Sequence, residues 1–160
     1  MREPTISNEN AWRQNHFGHW LRLALDRFDA RVLTLMAQHP GVPLGLSNLA
    51  ERGQVGAAHI HITRHLEMEG SRLTELAQRA GMTKQAMGTL VTQCEAWGMV
   101  NRVDDPADAR ARRIKFTATG LAWLCAYQEA VAQAEWELRQ AVSPEVATVI
   151  TLGLEAYSSG

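Results

Sequence analysis

Between Ser71 and Thr117 the hydrophobic period of the chain switches from that of a helix to that of a strand, and few folds accommodate such a switch. Leu73, Leu76, Ala77, Met82, Met87, Leu90, Val91 and Cys94 form one apolar seam at helical spacing, interrupted at Gly81 and ended at Gly98. Ser71 is placed to cap a helix over residues 72–80, with Glu75 in its first turn, and Thr83 to cap another over residues 84–97. Two helices joined by so short a glycine turn make a helix-turn-helix unit. From Met99 onward the pattern alternates. Residues 99–103 and 112–117 read as two strands around a turn-rich loop over 104–110.

The polar residues of this stretch point to a polyanionic partner. The seam leaves Lys84, Gln85, Gly88, Thr89, Thr92 and Gln93 on the outer face of the second helix, with no acid before Glu95. A helix laid in the major groove needs hydrogen-bonding or small residues on that face, and Gly88 lets the backbone come close. A solvated face is the alternative, though such faces usually carry Glu. In the hairpin, Arg110, Arg112, Arg113 and Lys115 fall close together. Ile114 and Phe116 alternate with Arg113 and Lys115, so one face packs while the other is cationic. Arg110, read as a loop residue, can reach a neighbouring minor groove, with Asp108 holding it through a charge-assisted hydrogen bond. The alternative is an edge hairpin charged for solubility. Net charge is only −1, but it is unevenly spread. Residues 71–115 carry eight Lys and Arg against five acids, residues 1–70 balance at seven each, and residues 116–160 hold one Arg against five Glu. A basic middle flanked by an acidic end fits DNA contact confined to the middle.

The chain has 160 residues, enough for one domain with appended elements. It has no apolar run long enough to span a bilayer and no signal-peptide core behind Met1. Two cysteines make no disulfide framework, so a reducing cytoplasm is expected. Apolar spacing predicts one long helix, or two end to end, over 8–39. Shorter helices follow over 44–52 and over 57–68, the latter stopped by Gly70. Thr117 caps a helix over 118–141, and Ser143 with Pro144 opens the last, over 145–157. Residues 46–53 echo the Leu73–Gly81 segment but lead into no hairpin, and are read as scaffold. The ends are rich in large apolar residues: Trp12, Trp20, Trp123, Tyr127, Trp136, Leu138, Val149, Leu152 and Tyr157. Single helices cannot bury these. Two chains wrapped around each other would, and an intramolecular bundle is the alternative. The expected division is 1–55 as N-terminal dimerisation helix and connector, 56–118 as DNA-binding lobe, and 119–160 as C-terminal dimerisation helices.

Leu73-Thr74-Glu75-Leu76-Ala77, Gly81-Met82-Thr83-Lys84, Trp97-Gly98-Met99-Val100 and the run from Asp105-Pro106-Ala107-Asp108-Ala109-Arg110 to Lys115-Phe116-Thr117-Ala118-Thr119-Gly120 resemble the MarR family of bacterial winged-helix regulators. The resemblance is strongest over 56–125. It implies a mainly α fold with a small β-hairpin wing, in a homodimer whose first and last helices interlock. It implies a recognition helix over 83–97, a wing arginine at Arg110 and a supporting acid at Asp108. It further implies sequence-specific binding to a near-palindromic operator, with the two recognition helices about 34 Å apart. The family's usual mode is repression relieved by a small aromatic effector held between the dimer helices and the winged lobe. Trp12, Trp20, His61, Arg64 and His65 are the candidates to line that pocket. The chain departs from the pattern at Thr89 and Ala109, where many members carry basic residues, and in a long connection over 40–56. No cofactor is expected. Two sensing alternatives stay open: metal at His59, His61 and His65, of which His61 and His65 share a helix face, and redox chemistry at Cys94 or Cys125, both of which read as small core residues. No phosphate loop, zinc-protease motif or nucleophile elbow is present, so no enzyme is expected. The rival to DNA binding is a winged helix used only for protein–protein contact.

Overall fold

The computed structural model describes residues 10–160. A 3₁₀ turn, Asn10–Gln14, leads into α1, Phe17–Ala37. The break falls at His16, whose Nδ1 accepts the His19 N–H at 3.2 Å, so the first helical stretch is two pieces rather than one. Asn8 lies outside the described residues. Then follow α2 (Leu44–Glu51), α3 (Ala57–His65), β1 (Ser71–Arg72), α4 (Leu73–Arg79), α5 (Lys84–Ala96), β2 (Val100–Asp105), β3 (Asp108–Phe116), α6 (Ala118–Val142) and α7 (Pro144–Ser158). The molecule is mainly helical with one small antiparallel sheet in the order β1-β3-β2. No helix among the described residues is long and apolar enough to cross a membrane.

Several local readings hold. Thr83, Thr117 and Ser143 each cap their helix through the side-chain oxygen. Gly81 and Gly98 adopt φ of +63° and +72° where α4 and α5 stop. α2 buries Leu46 and Ser47 against the core, as scaffold does. Three readings need correction. α3 ends at His65, because Leu66 turns to extended backbone well before Gly70. Ser71 is not a helix cap. It lies in β1 opposite Ile114, and its hydroxyl accepts from the Glu67 N–H and from Arg79 Nη1. The first turn of α4 is held instead by Glu75, whose carboxylate accepts the Arg72 N–H at 2.9 Å. The third correction is the wing. Residues 104–110 are not a loop, since the strands run to Asp105 and restart at Asp108, leaving Pro106 and Ala107 as the connection.

One continuous core joins the helices to the sheet. Trp123 of α6 sits at its centre, fully buried, with its indole N–H donating to Thr63 Oγ1 of α3 at 3.1 Å. α1 runs along α6, tied by a two-point Arg31–Glu137 pair and by His39–Glu129. The Arg31 guanidinium, with Gln133 assisting, lowers the Glu137 carboxyl to about 2. α6 and α7 meet at one residue, Ser143, which holds φ +82° despite its side chain. Cys94 is buried in the core and burial raises its thiol to about 12. Cys125 is exposed, not a core residue, because its position on α6 faces away from Trp123 and Ala126. A disulfide reagent added to the native protein should therefore titrate no more than one thiol per chain, with the second appearing only after denaturation. Two fast-reacting thiols would show that α5 opens readily.

Candidate nucleic-acid interface

α5 buries Met87, Leu90, Val91 and Cys94 and turns Lys84, Gln85, Thr89, Thr92 and Gln93 to the exterior. Gly88 is partly covered, and a Cβ there would lie 3.7 Å from Leu73 Cδ2. The hydroxyls of Thr89 and Thr92 donate back to the carbonyls of Gln85 and Gly88, at 3.2 and 2.9 Å. Their outward lone pairs therefore make them acceptors. Gln93 is engaged from behind, its Oε1 lying 2.9 Å from His59 Nε2.

The wing presents fewer free cations than its sequence counts. Arg113 turns inward. Its Nη1 donates to the Gly70 carbonyl at 3.3 Å, and its Nε lies 3.3 Å from the Asp105 carboxylate, out of line for a hydrogen bond but close enough for charge attraction. Arg112 pairs across the hairpin with Asp104 at 3.3 Å. Arg110 lies on β3, not in a loop, and Asp108 grips its backbone rather than its guanidinium: Asp108 Oδ1 accepts the Arg110 N–H at 3.0 Å. Among the described residues, the side chains of Lys84, Arg110 and Lys115 have no carboxylate within ion-pair distance.

Two residues that the sequence reading passed over organise this surface. Asp105 is buried at the wing base. Its carboxylate accepts the Ala107 N–H at 2.9 Å and Arg72 Nε at 2.7 Å. The backbone hydrogen bond first, and Arg72 after it, hold the Asp105 carboxyl down at about 2. Arg102 of β2 reaches back to α5, donating to Glu95 at 3.1 Å and to Thr92 Oγ1 at 3.5 Å, so wing and helix are laced together. An Asp-Pro-Ala turn signal marked Asp105 in the sequence, but nothing local marked its partners.

The candidate ligand residues fall into two places. Trp12 and Trp20 are exposed. Trp20 shares an apolar groove of about 450 Å³ with Phe17, Leu21, Val149, Ile150 and Tyr157, between α1 and α7. His61, Arg64 and His65 are on α3. The two imidazoles stack with centroids 6.0 Å apart, and Arg64 Nε donates to Tyr127 of α6 at 3.3 Å. His61 Nδ1 is buried with no partner among the described residues. Desolvation, then the neighbouring His61, lowers the His65 pKa. His59 is separate again, buried, with its ring tilted at 55° against Trp97 and the centroids 4.8 Å apart. No group of three or more His, Cys, Asp or Glu placed to hold a metal occurs among the described residues.

Residues 55–111 match the model of the MarR family. No curated protein matches the chain by sequence. Among solved structures, the transcriptional repressor CouR, bound to a 23-mer DNA duplex, is 17% identical with a TM-score of 0.68, the match covering 96% of this chain and 99% of that one. The PcaV regulator of Streptomyces coelicolor, in complex with its natural ligand, is 15% identical with a TM-score of 0.65, covering 91% and 94%. MepR of S. aureus in a DNA complex is 15% identical with a TM-score of 0.65, covering 90% and 97%. These likenesses establish the winged-helix fold of the chain.

Proposed function

Taking the winged lobe as a MarR-family domain, we propose that the chain is a homodimeric, cytoplasmic, sequence-specific DNA-binding regulator, a repressor released by a small aromatic effector. One observation carries this: an exposed face on α5 that opens on Lys84 and carries no acid before Glu95 stands beside a wing whose Arg110 and Lys115 have no ion-pair partner among the described residues. α5 enters the major groove through Gln85, Thr89, Thr92 and Gln93, while Gly88 lies on the side of the helix that faces Leu73. Arg110 reaches the adjacent minor groove, and Lys84 and Lys115 take phosphates. Arg112, paired only to an exposed Asp104, exchanges that partner for phosphate. Arg113 shapes the wing from within.

Dimerisation is supported by exposure. Phe17, Val149 and Tyr157 are 71%, 69% and 82% exposed in one chain, on the same face as the Trp20 groove. So much apolar surface in one place is the mark of an interface. The effector reading narrows to His61, Arg64 and His65, where an unpartnered buried nitrogen supports a polar ligand beside Tyr127.

The test is fluorescence anisotropy on the DNA upstream of the protein's own gene, beside an unrelated duplex, at several salt concentrations, with the mass in solution measured in parallel. A particle of twice 17.7 kDa is expected. Three phosphate contacts per chain, from Lys84, Arg112 and Lys115, predict a slope of log affinity against log salt of about −5 for the dimer, at about 0.9 per phosphate. Arg110→Ala should weaken specific binding by roughly tenfold to a hundredfold and leave the melting temperature unchanged. A folded dimer that binds neither duplex would favour a protein-contact role.

A further inference from the structure

The geometry points to His59 as a positioning residue for the recognition helix. Its imidazole locks the Gln93 amide with Oε1 inward and NH₂ outward, so this point of α5 offers a hydrogen-bond donor and not an acceptor. The inference rests on the DNA-binding reading above.

A chain of obligatory directions carries it. The Gly56 backbone N–H lies 3.0 Å from His59 Nδ1, and a backbone N–H can only donate. Nδ1 is therefore the acceptor nitrogen, and the neutral ring carries its proton on Nε2. Nε2–H then points at Gln93, 2.9 Å away, and can only be met by the amide oxygen. Side-chain amides are ordinarily ambiguous between their two ends, but here the start of α3 decides which end faces in. The ring cannot swing to another partner. His59 is 7% exposed, its ring lies against Trp97 at 4.8 Å, and its backbone N–H donates to the Gly56 carbonyl at 2.9 Å, which fixes the residue that carries the ring.

The consequence is a restriction on what Gln93 reads. The two-point pairing of a glutamine with adenine needs both amide ends, one accepting from N6 and one donating to N7. With Oε1 turned inward and one of its two lone pairs taken by His59, the amide leads with its NH₂ and that two-point pairing is disfavoured. The remaining NH₂ seeks an acceptor alone: guanine O6 or N7, adenine N7, thymine O4, or a phosphate oxygen. Thr89 and Thr92 beside it present lone pairs, because their protons are spent on the helix carbonyls. The face is therefore an ordered pattern of acceptors at the two threonines and a donor at Gln93.

Two measurements test this. In the free protein, long-range proton–nitrogen correlation of the imidazoles should show His59 protonated at Nε2 and bare at Nδ1. A ring protonated at Nδ1 overturns the inference whatever the protein binds. Duplexes selected from a randomised pool are then substituted one base pair at a time and titrated with the wild type, His59→Phe, Gln93→Ala and Gln93→Glu. His59→Phe keeps an aromatic ring against Trp97. Gln93→Glu keeps an oxygen for His59 but has no outward donor. All three variants should lose discrimination at the same base pair, by about three- to tenfold, the effect of one hydrogen bond. Should His59→Phe instead weaken every duplex alike and keep the wild-type preference, His59 is structural only and the inference fails. The expected tautomer in a wild-type protein that selects no duplex would overturn the DNA-binding reading and leave the orientation of Gln93 standing.

Discussion

Gly120→Ala should lower the stability of the protein by about 3 kcal/mol or more, a large fraction of the roughly 5–15 kcal/mol that holds a typical domain folded. Gly120 lies in the first turn of α6, where that helix crosses the start of the wing. Its N–H is capped by Thr117 Oγ1 at 3.1 Å, and Thr117 N–H in turn donates to the Met99 carbonyl at 3.1 Å. A methyl group added at Gly120 would collide with that same Met99 carbonyl oxygen and stand 2.9 Å from Phe116 Cδ1. Neither obstacle is a free side-chain end. Met99 is backbone at the mouth of β2, and Phe116 is buried in the core. Relief therefore requires α6 to lift off the sheet, which opens the core around Trp123. Gly45→Ala is the matched control. It is the second residue of α2, with nothing within 4 Å of the new methyl, and should stabilise slightly, by about 0.5 kcal/mol. Chemical denaturation of both variants checks the pair, and a Gly120→Ala protein of wild-type stability would mean that α6 and the wing are not so closely docked.

Asp105→Ala should cost both stability and DNA affinity, although Asp105 is buried beneath the wing. The substitution removes the acceptor that folds the turn at Ala107, takes away the carboxylate that Arg113 pairs with, and leaves Arg72 with Asp108 at 3.8 Å. Leaving cations unpaired around a buried site is the costly way to break an ion pair, and the thermal midpoint should fall by roughly 10 °C. Asp105→Asn keeps the turn bond and loses only the charge, so its loss should be smaller. The pH dependence separates the two contributions. The Asp105 carboxyl is lowered from 3.8 to about 2 in the folded state. Its stabilisation is therefore complete above pH 3.8 and is lost as pH falls through 2, so the gap between wild type and Asp105→Asn should close on acidification across that window. A gap independent of pH would mean that packing, not charge, is what the carboxylate supplies. DNA binding should fall by tenfold or more in Asp105→Ala, because Arg110 is aimed by the strand that Asp105 anchors.

These two residues mark the boundary between what was legible in the chain and what was not. Local signals are legible in the sequence: Thr83, Thr117 and Ser143 cap helices where their hydroxyls can reach the next turn, and Gly81 and Gly98 end them. The failures are contacts between distant residues. Ser71 looked like a cap because only its neighbours were visible. Its pairing with Ile114 and its bond from Arg79 depend on how the chain closes. Asp104, Asp105, Pro106 and Asp108 looked like a loop because all are turn formers. Two of those aspartates instead accept backbone N–H groups two residues on, which tightens the turn and lets the strands continue. The cluster of wing cations was counted correctly, but a count carries no partners. Arg113 belongs to Asp105 and Arg112 to Asp104, and only geometry separates those from Arg110 and Lys115. The exposed face of α5 was legible because helical periodicity alone sorts its residues, and what the sequence could not show was that one of them, Gln93, is already engaged from behind.

The junction at Ser143 bears on how such a chain can diverge. α6 ends at Val142 and α7 starts at Pro144, so a single residue in a left-handed conformation sets the phase of one helix against the other. One inserted residue would replace that fixed geometry and shift α7, with Val149, Ile150 and Tyr157, relative to α1. Descendants of this chain can exchange one apolar residue for another along α7 at little cost, but they cannot change the length of the chain at Ser143. The connection over 38–43, which has six residues in which to absorb an insertion, is under no such constraint. Length, rather than identity, is what this elbow passes on.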